Sequence, residues 1–200
     1  MAGKGGQKRL HLEERIRAIL SANPIIDSIM SRADQIDLPN WHLCAGCLTQ
    51  SVWNARYGYP PQHGVGDIDL VYFDNTDLSE ETEAEGSQRI RNLFSDFDIW
   101  IDVKNQARVH LWYETRFGKP IPPFQSVAHA VACFPTTATA IAARIDNGRM
   151  SLIAPFGYED IFRSIVRPNN RLATRDVYEA KIARWQRFWP QLTYLPWEQP

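Results

Sequence analysis

Leu12, Ile16, Ile19 and Leu20 recur at helical spacing, so HLEERIRAILS (11–21) predicts an amphipathic helix. A second helix is expected from Pro24, with Ile25, Ile26, Ile29 and Met30 on its apolar face and Asn23 as its cap. LPNWHLCAG (38–46) reads as a short strand ending at Gly46, and CLTQSVWNARYG (47–58) as a helix closed by Gly58. YPPQHGVG (59–66) is a Pro- and Gly-rich loop. DIDLVYFD (67–74) and FDIWIDVKN (97–105) alternate in polarity and are rich in β-formers, so both predict strands. Between them LSEETEAEGSQRIRNLF (78–94) predicts a helix capped by Ser79, with acids in its first turn.

The second half is patterned less sharply. VAHAVACF (127–134) suits a short buried helix. ATAIAARIDNGRMSLIAPF (138–156) places an Asn-Gly turn between two strand-like runs, the signature of a hairpin. GYEDIFRSIV (157–166) and TRDVYEAKIARWQRFW (174–189) predict closing helices, the last stopped by Pro190. Alternating helices and strands predict an α+β fold, a mixed sheet flanked by helices with further helices at both ends. One domain over 11–190 is expected, with MAGKGGQKRL (1–10) as a disordered basic tail and 191–200 as a C-terminal tail.

Composition narrows the function by exclusion. A formal net charge of −1 gives no electrostatic case for membrane surfaces or long nucleic acid, so an anionic substrate must be held locally. No apolar run reaches the ~18–20 residues that span a bilayer. Three cysteines without secreted-scaffold spacing predict reduced thiols and a cytoplasmic location.

Two motifs carry chemistry. Residues two apart on a strand share a face, so Asp67 and Asp69 point together while Ile68, Leu70 and Tyr72 face the core. On the later strand, Ile99, Ile101 and Val103 face the core and Asp102 points away from it with Trp100 and Lys104. If the strands are neighbours, three carboxylates converge, and their repulsion is relieved by a shared proton or a cation. Hard oxygen ligands in small number suit Mg²⁺, or Mn²⁺, with phosphate oxygens filling the remaining positions. A lone DxD is also a frequent solvated surface pair, and Asp74 and Asp77 read as turn residues.

The second motif is Cys44-Ala-Gly-Cys47. Gly46, where a strand gives way to a helix, permits close approach of a phosphate to helix N–H groups. The CxxC itself reads as a redox dithiol, as part of a zinc site with His42, or as two small buried residues. No fourth zinc ligand follows at finger spacing, and Cys133 stands alone in an apolar stretch.

The order of a Gly at a strand-to-helix turn, DxD on the next strand and a single Asp on a third resembles the nucleotidyltransferase fold of the DNA polymerase β type. AGCLTQSVWN, DIDLVYFD, DVKNQARVHLWY, TTATAIAARI and APFGYEDIF with SIVRPN are together similar to a family of small bacterial nucleotidyltransferase proteins once catalogued as a domain of unknown function, across roughly residues 11–190. The resemblance implies transfer of a nucleotide from a nucleoside triphosphate, ATP included, to a hydroxyl acceptor, with release of pyrophosphate. It implies Asp67 and Asp69 as the metal-binding pair, Asp102 as the third metal-site carboxylate, also helping to activate the acceptor, and Gly46 and Cys47 as backbone contacts to the triphosphate. Cys47 departs from the usual Gly-Ser or Gly-Gly turn, and the loop at 58–66 is an insertion. Lys104 and Arg108 follow Asp102 closely enough to line the pocket, Arg108 neutralising phosphate. His110, Trp112 and Tyr113 read as structural, Thr137 and Thr139 as weak candidates for base or acceptor contacts, and Arg167 as a helix cap. The rival readings are an inactive nucleotide-binding or interaction module of the same fold, and a thiol oxidoreductase using Cys44 and Cys47.

Overall fold

The computed structural model describes residues 4–197. Its framework is a five-stranded mixed sheet in the order β3-β2-β1-β4-β5. The strands are β1 (His42–Cys44), β2 (Asp67–Tyr72), β3 (Trp100–Asn105), β4 (Ala142–Asp146) and β5 (Arg149–Ile153). Within this sheet only the β2–β3 pair is parallel, because helix α4 (Glu80–Leu93) carries the chain back between them. Ser79 accepts from the Thr82 N–H at the start of that helix, as its sequence predicts. The β4–β5 hairpin turns on Asn147 and Gly148, both with positive φ (49° and 73°), the backbone that a two-residue turn demands.

Helices α1 (Lys4–Ser21), α2 (Pro24–Ser31), α3 (Gly46–Tyr57) and α4 bury their apolar residues together with one sheet face. Ile16, Leu20, Ile29, Leu43, Leu48, Leu70 and Val103 are essentially inaccessible there. Asn23 accepts from the N–H groups of Ile25 and Ile26 and so caps α2. Helix α1 begins at Lys4, within the segment expected to be a tail. Arg9 lies over the Tyr158 ring and Lys8 is 3.7 Å from Glu159, contacts the local pattern does not encode. Residues 1–3 and 198–200 lie outside the described residues.

The other sheet face is covered only in part. Helix α6 (Val127–Val131) packs Val127 and Val131 against Cys44, Val71 and Ala142 on this face, α5 (Val109–Phe117) follows β3, and α8 (Arg175–Trp185) brings Lys181, Arg184 and Trp185 to the carboxylate cleft. The expected helix 157–166 shrinks to α7 (Glu159–Phe162): Ser164 takes φ 58° and the chain continues as β6 (Ile165–Val166). That strand pairs in parallel with β7 (Thr193–Tyr194), so 191–197 is not a loose tail, and Leu192 is buried. The first strand is also shorter than 38–46, because Asn40 turns the chain at φ 51°.

The inserted loop after α3 is a structural strap. Asn54 donates to the carbonyls of Pro61 (3.1 Å) and His63 (2.9 Å) and accepts from the Trp189 indole at 2.8 Å. His63 stacks on Tyr59 and meets the Phe188 carbonyl at 3.0 Å. The loop thus ties α3 to the chain beyond α8, around the edge-on cluster of Trp53, Trp185 and Trp189.

Candidate active site

Strand alternation sorts β2 by face: Ile68, Leu70 and Tyr72 enter the main core, while Asp67 and Asp69 stay partly exposed on the opposite face. β3 behaves alike, with Ile101 and Val103 inward and Asp102 and Lys104 outward. The parallel register sets Asp69 directly beside Asp102, one strand spacing of about 4.8 Å away. On its other flank Asp69 is in register with Cys44.

Asp67, Asp69 and Asp102 line one cleft of about 240 Å³, together with Ala45, Gly46, Lys104 and Gln106. Burial and the neighbouring Asp67 push the Asp69 carboxyl up to about 7, although Lys181 pulls the other way. Lys104 lies 3.0 Å from Asp102 Oδ1 and engages the third carboxylate.

Gly46 is the first residue of α3 and lines the cleft. A Cβ there would meet only the flexible end of Gln50, at 3.2 Å, so internal packing does not by itself demand glycine. The residue before it, Ala45, is held at φ 60°, ψ −128°, a conformation that costs a non-glycine residue about 1–3 kcal/mol. Strain is thus concentrated in the turn that aims the α3 N-terminus at the acids.

The thiols are free and buried. Burial and the adjacent Asp69 raise both Cys44 and Cys47 well above the ordinary thiol range, and Cys47 donates its S–H to the Cys44 carbonyl. Both side chains are also shut off from solvent, which speaks against the dithiol redox reading. His42 is likewise buried, with its ring on the Asn40 carbonyl at 2.9 Å, and among the described residues it is not gathered with the two cysteines into a three-ligand metal group.

Arg108 corrects the sequence expectation. Its guanidinium is 2.8 Å from Glu83 and donates to the Leu78 carbonyl, both nearly buried under α4, and it does not line the cleft. Asn105 N–H donates to the other Glu83 oxygen, so this arginine fastens α4 to the end of β3. Thr137 is bonded to Asp160, whereas Thr139 reaches the cleft wall.

Three cleft residues escaped the sequence reading. Lys181, Arg184 and Trp185 of α8 line it from above the carboxylates. Burial lowers the Lys181 ammonium while Asp69 opposes the shift, and Trp185 Nε1 is a buried donor without a partner. The available signal was a lysine three residues after buried Tyr178 and four before buried Trp185, a charge on the inward face of a helix.

Among the described residues no three His, Cys, Asp or Glu side chains form a ready metal cage. The donor chemistry still fits Mg²⁺, which commonly takes one or two carboxylates and fills its other positions with water and substrate phosphate. Asp67 and Asp69 are such a pair, hard oxygens on one strand face that line the cleft.

A mixed sheet with an acidic pair on its second strand defines an α+β nucleotidyltransferase-type fold. An NMR structure described as revealing a CCA-adding enzyme head domain superposes with a TM-score of 0.75 at 23% identity, covering 92% of this chain and 96% of that one. No curated protein sequence matches. The nucleotidyltransferase family pattern matches residues 31–194, and the chain belongs to that family.

Proposed function

We propose that the protein is a Mg²⁺-dependent nucleotidyltransferase that moves a nucleoside monophosphate from a nucleoside triphosphate to a hydroxyl acceptor, releasing pyrophosphate. The observation that carries this reading is the cleft that gathers Asp67, Asp69, Asp102 and the α3 N-terminus on one sheet face. Asp67 and Asp69 hold the metal, which when bound offsets the charge of the triphosphate. Gly46 and the Cys47 N–H lie at the phosphate-binding end, where a helix N-terminus favours anions. Lys181 and Arg184 add donors for phosphate oxygens. Asp102 receives the acceptor proton as the acceptor oxygen bonds to the α-phosphorus, and the bond from that phosphorus to the bridging oxygen breaks. Catalysis is then largely positioning and charge compensation. The CCA-adding description of the structural neighbour supports nucleotidyl transfer as the chemistry and leaves the acceptor open. Small bacterial size, a cytoplasmic location and ATP as one donor belong to the same reading.

Thermal denaturation with each of the four nucleoside triphosphates, with and without Mg²⁺ or Mn²⁺, tests it. A metal-dependent rise in Tm for at least one triphosphate is expected. Equal melting in all conditions would reject it.

A further inference from the structure

Beyond Asp102 the cleft opens into a second cavity of about 230 Å³, walled by Trp112, Tyr113 and Phe117 of α5, by Phe124, by Leu172 ahead of α8 and by Val177 in its first turn. It shares Asp102, Lys104, Gln106 and Pro135 with the carboxylate cleft, but Gly46, Asp67 and Asp69 do not line it. Trp112 and Tyr113 sit at the margin of a small satellite cluster rather than in the main core. Tyr113 spends its hydroxyl on the Leu172 carbonyl at 3.1 Å, so it offers its ring, not a polar group, to the space. Among the described residues the only charged side chain lining it away from the shared mouth is exposed Arg116, lying over the Trp112 and Phe117 rings.

We infer that this cavity holds the body of the acceptor, and that the acceptor is a small molecule whose hydroxyl is carried by a single planar, apolar ring. The inference rests on the nucleotidyl-transfer reading and deepens it. Cys44, Asp69 and Asp102 form one register row across three strands, with the Gly46 turn at one end and the aromatic cavity past the other. In-line displacement puts the entering and leaving oxygens on opposite sides of the α-phosphorus. With pyrophosphate at the Gly46 end, the acceptor enters from the Asp102 end, through this cavity. Its hydroxyl oxygen bonds to the α-phosphorus, its proton passes to Asp102, and pyrophosphate leaves toward Gly46. Aromatic walls favour a stacked ring, whereas a sugar or polyol would leave hydroxyls unpaired against them. The volume admits one ring system.

The test uses phenol and benzyl alcohol as ring probes, glycerol as the polar counterpart, and saturation-transfer NMR on the full chain. Mg-ATP thermal shift runs alongside. Saturation transfer to both ring probes and none to glycerol is expected. Val177→Phe, which fills the cavity, should weaken ring binding at least 10-fold and keep the Mg-ATP shift, with Leu172→Phe as the second variant if the first does not fold. No transfer to either ring probe, or equal transfer to glycerol, overturns the inference. Loss of the Mg-ATP shift in both filled variants would assign the cavity to the donor base and overturn the acceptor role. Ring binding without any wild-type nucleotide shift would overturn that role too, by removing the donor reading itself.

Discussion

Asp69 of β2 and Asp102 of β3 are register partners on neighbouring parallel strands, both on the sheet face turned away from the main core. A helical crossover places them so: α4 returns the chain in the same direction, and alternation within each strand sends both carboxylates to one side. Lys104 offsets Asp102 from the next same-face position, while Asp69 is left with Asp67 as its nearest like charge. The fold therefore holds a partly buried acidic pair, only partly offset by Lys181 and Arg184, beside a helix N-terminus, a placement that burial alone disfavours.

Lys181 should matter for ligand and little for folding. It reaches the cleft from α8 and lies 5.8 Å over the Trp185 ring. Lys181→Gln is expected to weaken Mg-nucleotide binding about 10-fold, ~1.4 kcal/mol, with the urea midpoint nearly unchanged. Calorimetric titration and urea unfolding of the same preparation check both halves.

Arg108 should show the reverse. It is paired with Glu83 away from the cleft, and removing one partner of a buried pair typically costs about 3–5 kcal/mol. Arg108→Met is expected to lower stability by about 3 kcal/mol in urea unfolding while the folded fraction binds nucleotide with wild-type affinity.

These two residues also mark what the sequence made legible. β2, β3 and the helix between them follow from period-2 alternation and a Ser79 cap, so the placement of Asp67, Asp69 and Asp102 on one face was readable locally. Arg108 was misread because proximity to Asp102 in sequence says nothing of the turn after Asn105, which directs the guanidinium beneath α4. Lys181 and Arg184 were missed because their role depends on where α8 crosses the sheet, a tertiary fact. Helix α5 was passed over because VHLWYETRF has little amphipathic pattern, its aromatic residues packing to a satellite cluster and a cavity. Ser164 at φ 58° gives no compositional warning that a helix stops there.

The strap at 59–66 depends on Gly64. It adopts φ +68°, and a Cβ would lie 2.5 Å from the Trp189 ring. Backbone strain and overpacking together predict a loss of about 3 kcal/mol for Gly64→Ala. Differential scanning calorimetry should show the drop, and a wild-type Tm would refute the strap.

His42 gives the folded chain a pH dependence. Burial lowers its imidazole from 6.5 to about 4, with Arg144 adding to the effect against the Asn40 carbonyl. The unfolded chain takes up this proton below pH 6.5 and the folded chain resists it to about pH 4. The contribution is full above pH 6.5 and is lost as pH falls through that window, by about 3 kcal/mol at its lower end. Urea unfolding at pH 7 and pH 4 should show His42→Gln losing less stability than the wild type across the interval, by that amount.

Calorimetric titration of Mg-nucleotide into Asp69→Asn and into Cys44→Ala/Cys47→Ser, each against the wild type, tests the central assignment most directly. The carboxylate account predicts that Asp69→Asn weakens binding about 100-fold or more, ~2.7 kcal/mol, and melts higher without ligand because a buried like charge is gone. It predicts near wild-type affinity for the cysteine variant, whose backbone N–H groups persist. Wild-type affinity in Asp69→Asn, with binding lost in the cysteine variant, would contradict it.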